Sequence, residues 1–386
     1  MTKLFEETLE IIKGSAGNNE DSFNYYHKSD RSDIKIIRET LEDWFSKYPK
    51  SEKEELKSRF RKDFDAAFFE LFLFELFRKQ GYEVVIHPQL ENSKKRPDFL
   101  LFKNDHQIYV EAKVSYDKTE EEMGFERRQN QFYDQLNKVR IKGFLLRIER
   151  LNFITSNQPR VKELIELIES EVQKLDPNQI TLNMNEFGLD GCPRIEFKNK
   201  DFEIVLQPMP MMESKREKVS TTPIGMFPFE FFSGGSQDSL RQSILKKAKR
   251  YGKFDAPYLI CINNISSKSS GQFDIENVIW GTLQYTFLQN PDNLNARMSR
   301  DKDGVFYNSG RPQLTNVSAV LVTGVFPSNI PNAKYFLYQN PFAVNKLNFD
   351  DFMMNYNYVE GGQIISNEGD NFDQIFEISK NWLKIP

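Results

Sequence analysis

The apolar and polar positions of the chain fall into short blocks whose period changes several times. Residues 60–80, FRKDFDAAFFELFLFELFRKQ, carry strong helix formers and no glycine or proline, and they stop at Gly81-Tyr82. Their apolar positions circle the helix instead of forming one stripe. This predicts a helix packed on more than one side, against a sheet with further structure over it. Three short runs rich in Val, Ile, Phe and Tyr follow: YEVVIHP, RPDFLLF and QIYVEAKVS. The last two are joined by the polar turn Lys103-Asn104-Asp105-His106, so the order is helix, strand, hairpin. A polar-rich helix over residues 118–142, the strand-like GFLLRIERLNF and the helix RVKELIELIESEVQKL then predict an α/β layer with four or more strands.

The flanks read differently. KGSAGNNEDSFNYYHKSDRSD is expected to be a loop before a helix near IIRETLEDWFSKY, and DPNQITLNMNEFGLDGCPR reads as a linker made of turn residues. IEFKNKDFEIVLQPM predicts a hairpin around Lys198-Asn199-Lys200, followed by an irregular connection over 209–237. DSLRQSILKKAKRYGK predicts a helix with Leu240, Ile244, Ala248 and Tyr251 on its apolar side. PYLICIN, VSAVLVTGVF and KYFLYQNP predict buried strands, with FDIENVIWGTLQYTF as a helix among them. Three segments result: an N-terminal helical segment (1–55), an α/β domain (56–180) and a second α/β domain of unassigned role (190–386). A homodimer or protein partner through the last of these stays open.

With 386 residues, 39% of them hydrophobic, the chain can bury a sizeable core. No apolar run reaches the length of a membrane span, and MTKLFEETLEIIKG has acidic residues where a secretory signal has a basic end, so a cytoplasmic protein is expected. Cys192 and Cys261 are far apart and His27, His87 and His106 are scattered. This supports neither a disulfide framework nor a Cys/His zinc cluster, and leaves carboxylates as the main ligands for any metal. A net charge of −4 gives no global attraction to nucleic acid, so contact with it has to be local.

Strand alternation places Glu111 and Lys113 on one face with Tyr109, and Ile108, Val110, Ala112 and Val114 on the other, which is the expected core face. Asp98 begins the preceding strand, and the hairpin brings it beside Glu111 and Lys113. Two carboxylates at short range repel unless a cation lies between them, and a hard divalent ion suits oxygen ligands.

Pro97-Asp98, Glu111-Ala112-Lys113 and a preceding helix carrying glutamate resemble the PD-(D/E)XK nuclease superfamily, over roughly residues 60–150. The resemblance implies a restriction-endonuclease-like mixed sheet flanked by helices and a Mg²⁺-dependent phosphodiesterase, an endonuclease more than an exonuclease, with Mn²⁺ as a substitute ion. Asp98 and Glu111, the carbonyl of Ala112 and a helical glutamate would hold the ion, and Lys113 would orient the attacking water. Glu70 is favoured over Glu75 by its distance from Gly81, as in restriction-type members; the two lie about 140° apart around the helix. Gln129 and Tyr133 resemble an accessory motif of helicase-associated members. DNA is the expected substrate, in restriction, phage defence or repair. An RNA-directed nuclease and a catalytically inactive binding module are the alternatives. Independently of the resemblance, the cations of the helix after 238, among them Lys246, Lys247, Lys249 and Arg250, have no acidic residue between them and form a candidate phosphate-contacting surface.

Overall fold

The computed structural model of the protein describes residues 2–18, 20–90, 94–116, 120–217, 219–220, 222–228, 236–265, 271–287, 296–360 and 363–384. The chain begins with helices α1 (Ser22–Lys28), α2 (Ser32–Lys47), α3 (Lys53–Lys62) and α4 (Phe64–Lys79). Helix α1 lies within a segment expected to be a loop; the Asp21 carboxylate caps it by accepting from the Asn24 amide. The helix expected over residues 60–80 is interrupted at Asp63, which ends α3 and caps α4 by accepting from the Ala66 amide at 3.2 Å. Helix α4 buries residues all the way round, from Phe64 through the continuous stretch Ala67 to Phe77, as its unbroken apolar pattern predicts.

Strands β1 (Glu83–Ile86), β2 (Phe99–Lys103) and β3 (His106–Tyr116) follow. Asn104 and Asp105 both have positive φ, 50° and 63°. These suit a two-residue type I′ hairpin turn, and the turn fixes the register from Lys103↔His106 to Phe99↔Val110.

The chain then forms α5 (Glu120–Leu136), β4 (Phe144–Phe153), α6 (Lys162–Gln173), α7 (Pro177–Phe187), β5 (Ile195–Lys198), β6 (Phe202–Pro210) and β7 (Ile224–Met226). The expected linker after Asp176 is therefore largely helix. Asp176 caps it by accepting from the Asn178 amide, and Pro177 sits in the first turn, where its missing N–H costs nothing. Next come α8 (Ser236–Ala248), β8 (Tyr258–Ile265), α9 (Gln272–Trp280), β9 (Leu283–Phe287), β10 (Ala296–Arg300), β11 (Tyr307–Asn308) and β12 (Arg311–Pro312). The chain closes with β13 (Ala319–Thr323), β14 (Tyr335–Gln339), β15 (Tyr356–Glu360), β16 (Gln363–Asn367) and α10 (Phe372–Phe376). The helix expected over FDIENVIWGTLQYTF ends at Gly281, whose φ of 103° favours glycine; a Cβ there would lie 1.8 Å from the Asp301 carbonyl oxygen. Its second half pairs with β10 as strand β9.

The expected domain boundary between residues 180 and 190 is not where the structure divides. One compact unit comprises Met1–Gly14, Asp21–Lys118 and Gly234–Pro386, and the other Ser15–Glu20 and Thr119–Ser233. The first holds an eight-stranded sheet in the order β1-β2-β3-β8-β13-β14-β15-β16. Strand β8, expected to belong to a separate domain, pairs in parallel with β3 from Tyr109↔Tyr258 to Tyr116↔Ile265. Strand β4, expected beside the hairpin, lies instead in the four-stranded sheet β5-β6-β4-β7 of the other unit. The cause is a long insertion between β3 and its partner.

Both faces of the large sheet are core. Val110, Leu101, Leu259 and Leu321 pack in one cluster with the phenylalanines of α4. Tyr258, Ile260, Ile262 and Val320 pack in another with Leu240, Ile244 and Ala248 of α8 and Ile275, Val278 and Ile279 of α9. The inserted unit has its own core, including Phe132, Leu146, Ile168 and Phe202. Cys192 and Cys261 are buried and free. Among the described residues no helix is long and apolar enough to cross a membrane.

The insertion leaves and rejoins the first unit at neighbouring points. The Ser239 hydroxyl donates to the Tyr116 carbonyl, and Ser239 and Ser243 both contact the Ser115 hydroxyl, at 2.9 and 3.0 Å. Replacing residues 117–235 with a short Gly-Ser linker is therefore expected to leave a unit that melts in a single cooperative transition, measured by circular dichroism. Loss of that transition would show that the first unit depends on the insertion.

Candidate metal centre

Three elements bring acidic groups to one place. Helix α4 supplies Glu70, β2 is preceded by Asp98, and β3 carries Glu111. The pairing of β1 with β2 sets Ile86 opposite Phe99, and one residue beyond, the His87 amide donates to the Asp98 carbonyl at 3.0 Å. The Asp98 carboxylate in turn accepts from the Ala112 amide at 2.6 Å, so the hairpin register itself aims it. A ring nitrogen of His87 and carboxylate oxygens of Glu70 and Asp98 all lie within 4.8 Å of one another. Two carboxylates and an imidazole at that spacing fit a divalent cation.

Neighbouring groups hold these side chains in place. Glu70, 2% exposed, accepts from the Tyr48 hydroxyl at 2.6 Å and pairs with the Arg59 guanidinium. His87 Nδ1 lies 3.3 Å from a Glu52 carboxylate oxygen. Glu111, 1% exposed, is held by Lys247 at 2.5 Å, Arg250 at 3.2 Å and the Tyr251 hydroxyl at 2.5 Å. That hydroxyl also lies 2.7 Å from the Arg96 carbonyl.

Burial pushes the Asp98 carboxyl above the usual aspartate range and the Glu70 charge adds to this, while Lys247, the Ala112 amide and His87 pull the other way. Glu111 is likewise raised by burial and by Asp98, against the pull of Lys247 and Tyr251. Lys113 is exposed, yet desolvation and then the charges of Lys247 and Lys246 lower its ammonium below the ordinary lysine range.

Several expected roles change with this geometry. Ala112 meets Asp98 through its amide. Glu111 stands outside the group formed by Glu70, His87 and Asp98. The face of β3 that carries Glu111 is roofed by α8. Glu75 lies apart from the centre, fully buried and bonded by Arg78 at 2.7 and 2.8 Å, with Lys47 at 3.4 Å. Lys247 and Arg250, expected on a phosphate-contacting surface, pair with Glu111; Arg250 is nevertheless exposed, as are Lys246 and Lys249. Tyr133 is 5% exposed in the core of the inserted unit, against Phe132 and Phe227, which leaves it no accessible ring for nucleic acid. Gln129 is half-buried on the same helix.

His87, Glu52, Tyr48, Arg59 and Tyr251 carry no spacing signal as partners of the acidic motif. A histidine just after a short strand becomes meaningful only when β1 pairs with β2.

Comparison with protein-family models, curated proteins and solved structures finds no match for this chain.

Asp98→Asn keeps an oxygen for the Ala112 amide while removing a charge that burial disfavours. The folded-state pKa of Asp98 is raised, so its ionised form costs stability above that pKa, and the cost vanishes as pH falls through it. The metal-free Asp98→Asn protein is expected to melt above wild type at neutral pH, with the gain shrinking towards acid. Thermal melts in chelator across pH 4–8 check this; a lower melting temperature at neutral pH would contradict it.

Proposed function

We propose that the protein is a metal-dependent nuclease that hydrolyses phosphodiester bonds of DNA. The observation that carries this reading is the convergence of Glu70, His87 and Asp98 from one helix and the paired ends of β1 and β2, with Glu111 and Lys113 on the adjacent strand β3. Like charges gathered where burial raises their pKa are common at catalytic sites, which supports the reading. The order α4, antiparallel β1-β2-β3, α8 and the parallel strand β8 supports a restriction-endonuclease-like core interrupted by the inserted unit.

A divalent cation, when bound, supplies counter-charge for the phosphoryl transition state and a nucleophile near neutral pH. Glu70 and Asp98 are the groups that hold it, with Asp98 aimed by the Ala112 amide. Glu111 adds a third negative charge whose availability is set by Lys247 and Arg250. Lys113 orients the attacking water, and its lowered pKa makes its ammonium a readier proton donor than an ordinary lysine. Lys246 on α8 and Lys249 just beyond its end are the exposed cations that would meet phosphates.

One observation favours a second reading, a binding module without turnover: the Glu111 carboxylate is fully occupied by Lys247, Arg250 and Tyr251.

Single-turnover cleavage with Mg²⁺ or Mn²⁺ on circular and linear DNA and RNA separates these readings. Wild type is expected to cut DNA. Asp98→Ala should lose both metal binding and cleavage, and Lys113→Ala should keep metal binding while slowing cleavage by about a hundredfold or more. Equal cleavage by all three proteins would sink the nuclease reading. Binding without turnover would establish the module, and cleavage confined to RNA would change the substrate.

The exposed cations make a separate prediction. If Lys246 and Lys249 each neutralise one phosphate, Lys246→Gln with Lys249→Gln should reduce the slope of log affinity against log salt by about 1.8. An unchanged slope in fluorescence anisotropy would assign both to ordinary surface.

A further inference from the structure

We infer that His87, with Glu52 behind it, is a nitrogen ligand of the metal centre and turns that centre towards a first-row transition ion such as Mn²⁺ in preference to Mg²⁺. The inference rests on the metal-dependent reading above and adds to it the identity of the ion.

An imidazole gathered with Glu70 and Asp98 within 4.8 Å calls for an explanation. Its chemistry offers one. Glu52 lies 3.3 Å from Nδ1 and is placed to accept the proton there, which leaves the lone pair on Nε2. A carboxylate behind a histidine, fixing its tautomer and raising its basicity, is the usual support for a metal-ligating imidazole. The side chains of His87 and Glu52 are 21% and 28% exposed, so the pair is largely shielded from competing water. Imidazole nitrogen is a borderline donor that suits transition ions, whereas Mg²⁺ prefers an all-oxygen shell and keeps its waters.

The other two histidines are engaged elsewhere. His106 Nδ1 lies 2.8 Å from an Asp351 carboxylate oxygen, and His27 Nε2 lies 2.7 Å from the Glu6 carbonyl. The competing account makes His87 an imidazolium that pairs with Glu52, Glu70 and Asp98 and repels any cation.

The test is electron spin-echo spectroscopy on the untagged, Mn²⁺-loaded full chain, with calorimetric titration of Mn²⁺ and Mg²⁺. Wild type is expected to show the nitrogen modulation of a coordinated imidazole. His87→Asn, which tolerates the positive φ of 48° at this position, should lose the modulation and bind Mn²⁺ about tenfold more weakly, with a smaller change for Mg²⁺. Glu52→Gln should keep the modulation and weaken Mn²⁺ by about 10- to 100-fold, which tests the pair even if His87→Asn does not fold. Mn²⁺ binding that Asp98→Ala abolishes, but without nitrogen modulation in wild type, overturns the role of His87 and leaves the metal centre standing. Mn²⁺ binding that is absent in wild type, or unaffected by Asp98→Ala, overturns both.

Discussion

The parallel pairing of β3 with β8 sets Glu111 opposite Ile260, with α8 laid over both strands. A hairpin edge would leave that carboxylate in water; an interior strand covered on both faces cannot. At 1% exposure the charge has to be compensated locally, and the same helix that buries it supplies Lys247, with Arg250 and Tyr251 just beyond its last turn. Burial and compensation are therefore coupled in one element, since moving α8 would both expose Glu111 and withdraw its partners.

This coupling changes the meaning of the basic run after residue 238. Read along the sequence, the cations of α8 and of the residues just after it have no acid among them and look like one surface. In three dimensions they divide. Lys247 and Arg250 pair with a carboxylate contributed from more than a hundred residues earlier, Lys247 largely covered and Arg250 still exposed, while Lys246 and Lys249 are exposed and make no such pair with Glu111. The pair on Glu111 compensates a charge that burial would otherwise leave bare.

Legibility in the sequence followed distance along the chain. The β2–β3 hairpin could be read because alternation and a four-residue turn are local, and the register that aims Asp98 at the Ala112 amide follows from them. The break at Asp63 was equally local but ambiguous, since an aspartate can sit in a helix as well as cap one. The β3–β8 pairing could not be read, because the intervening unit folds around a core of its own and the two strands carry no mutual signal. His87 was missed for the same reason: its neighbours come from α4, the residue before α3 and the start of β2, and only the fold gathers them.

Glu70 and Glu75 show how far tertiary context outranks residue type. They share a helix, a near-total burial and a side chain, and five residues turn them about 140° apart. Glu75 meets the fork of Arg78 one turn on, with Lys47 from α2, so its charge is satisfied within the helical layer. Glu70 is held by Arg59 and Tyr48 but faces a second carboxylate, Asp98, which its charge pushes higher in pKa. A helix that must present one buried glutamate to its own layer and another to the sheet cannot have a solvent stripe. The apolar pattern that runs all the way round residues 64–79 is therefore a condition for placing Glu70 at the centre.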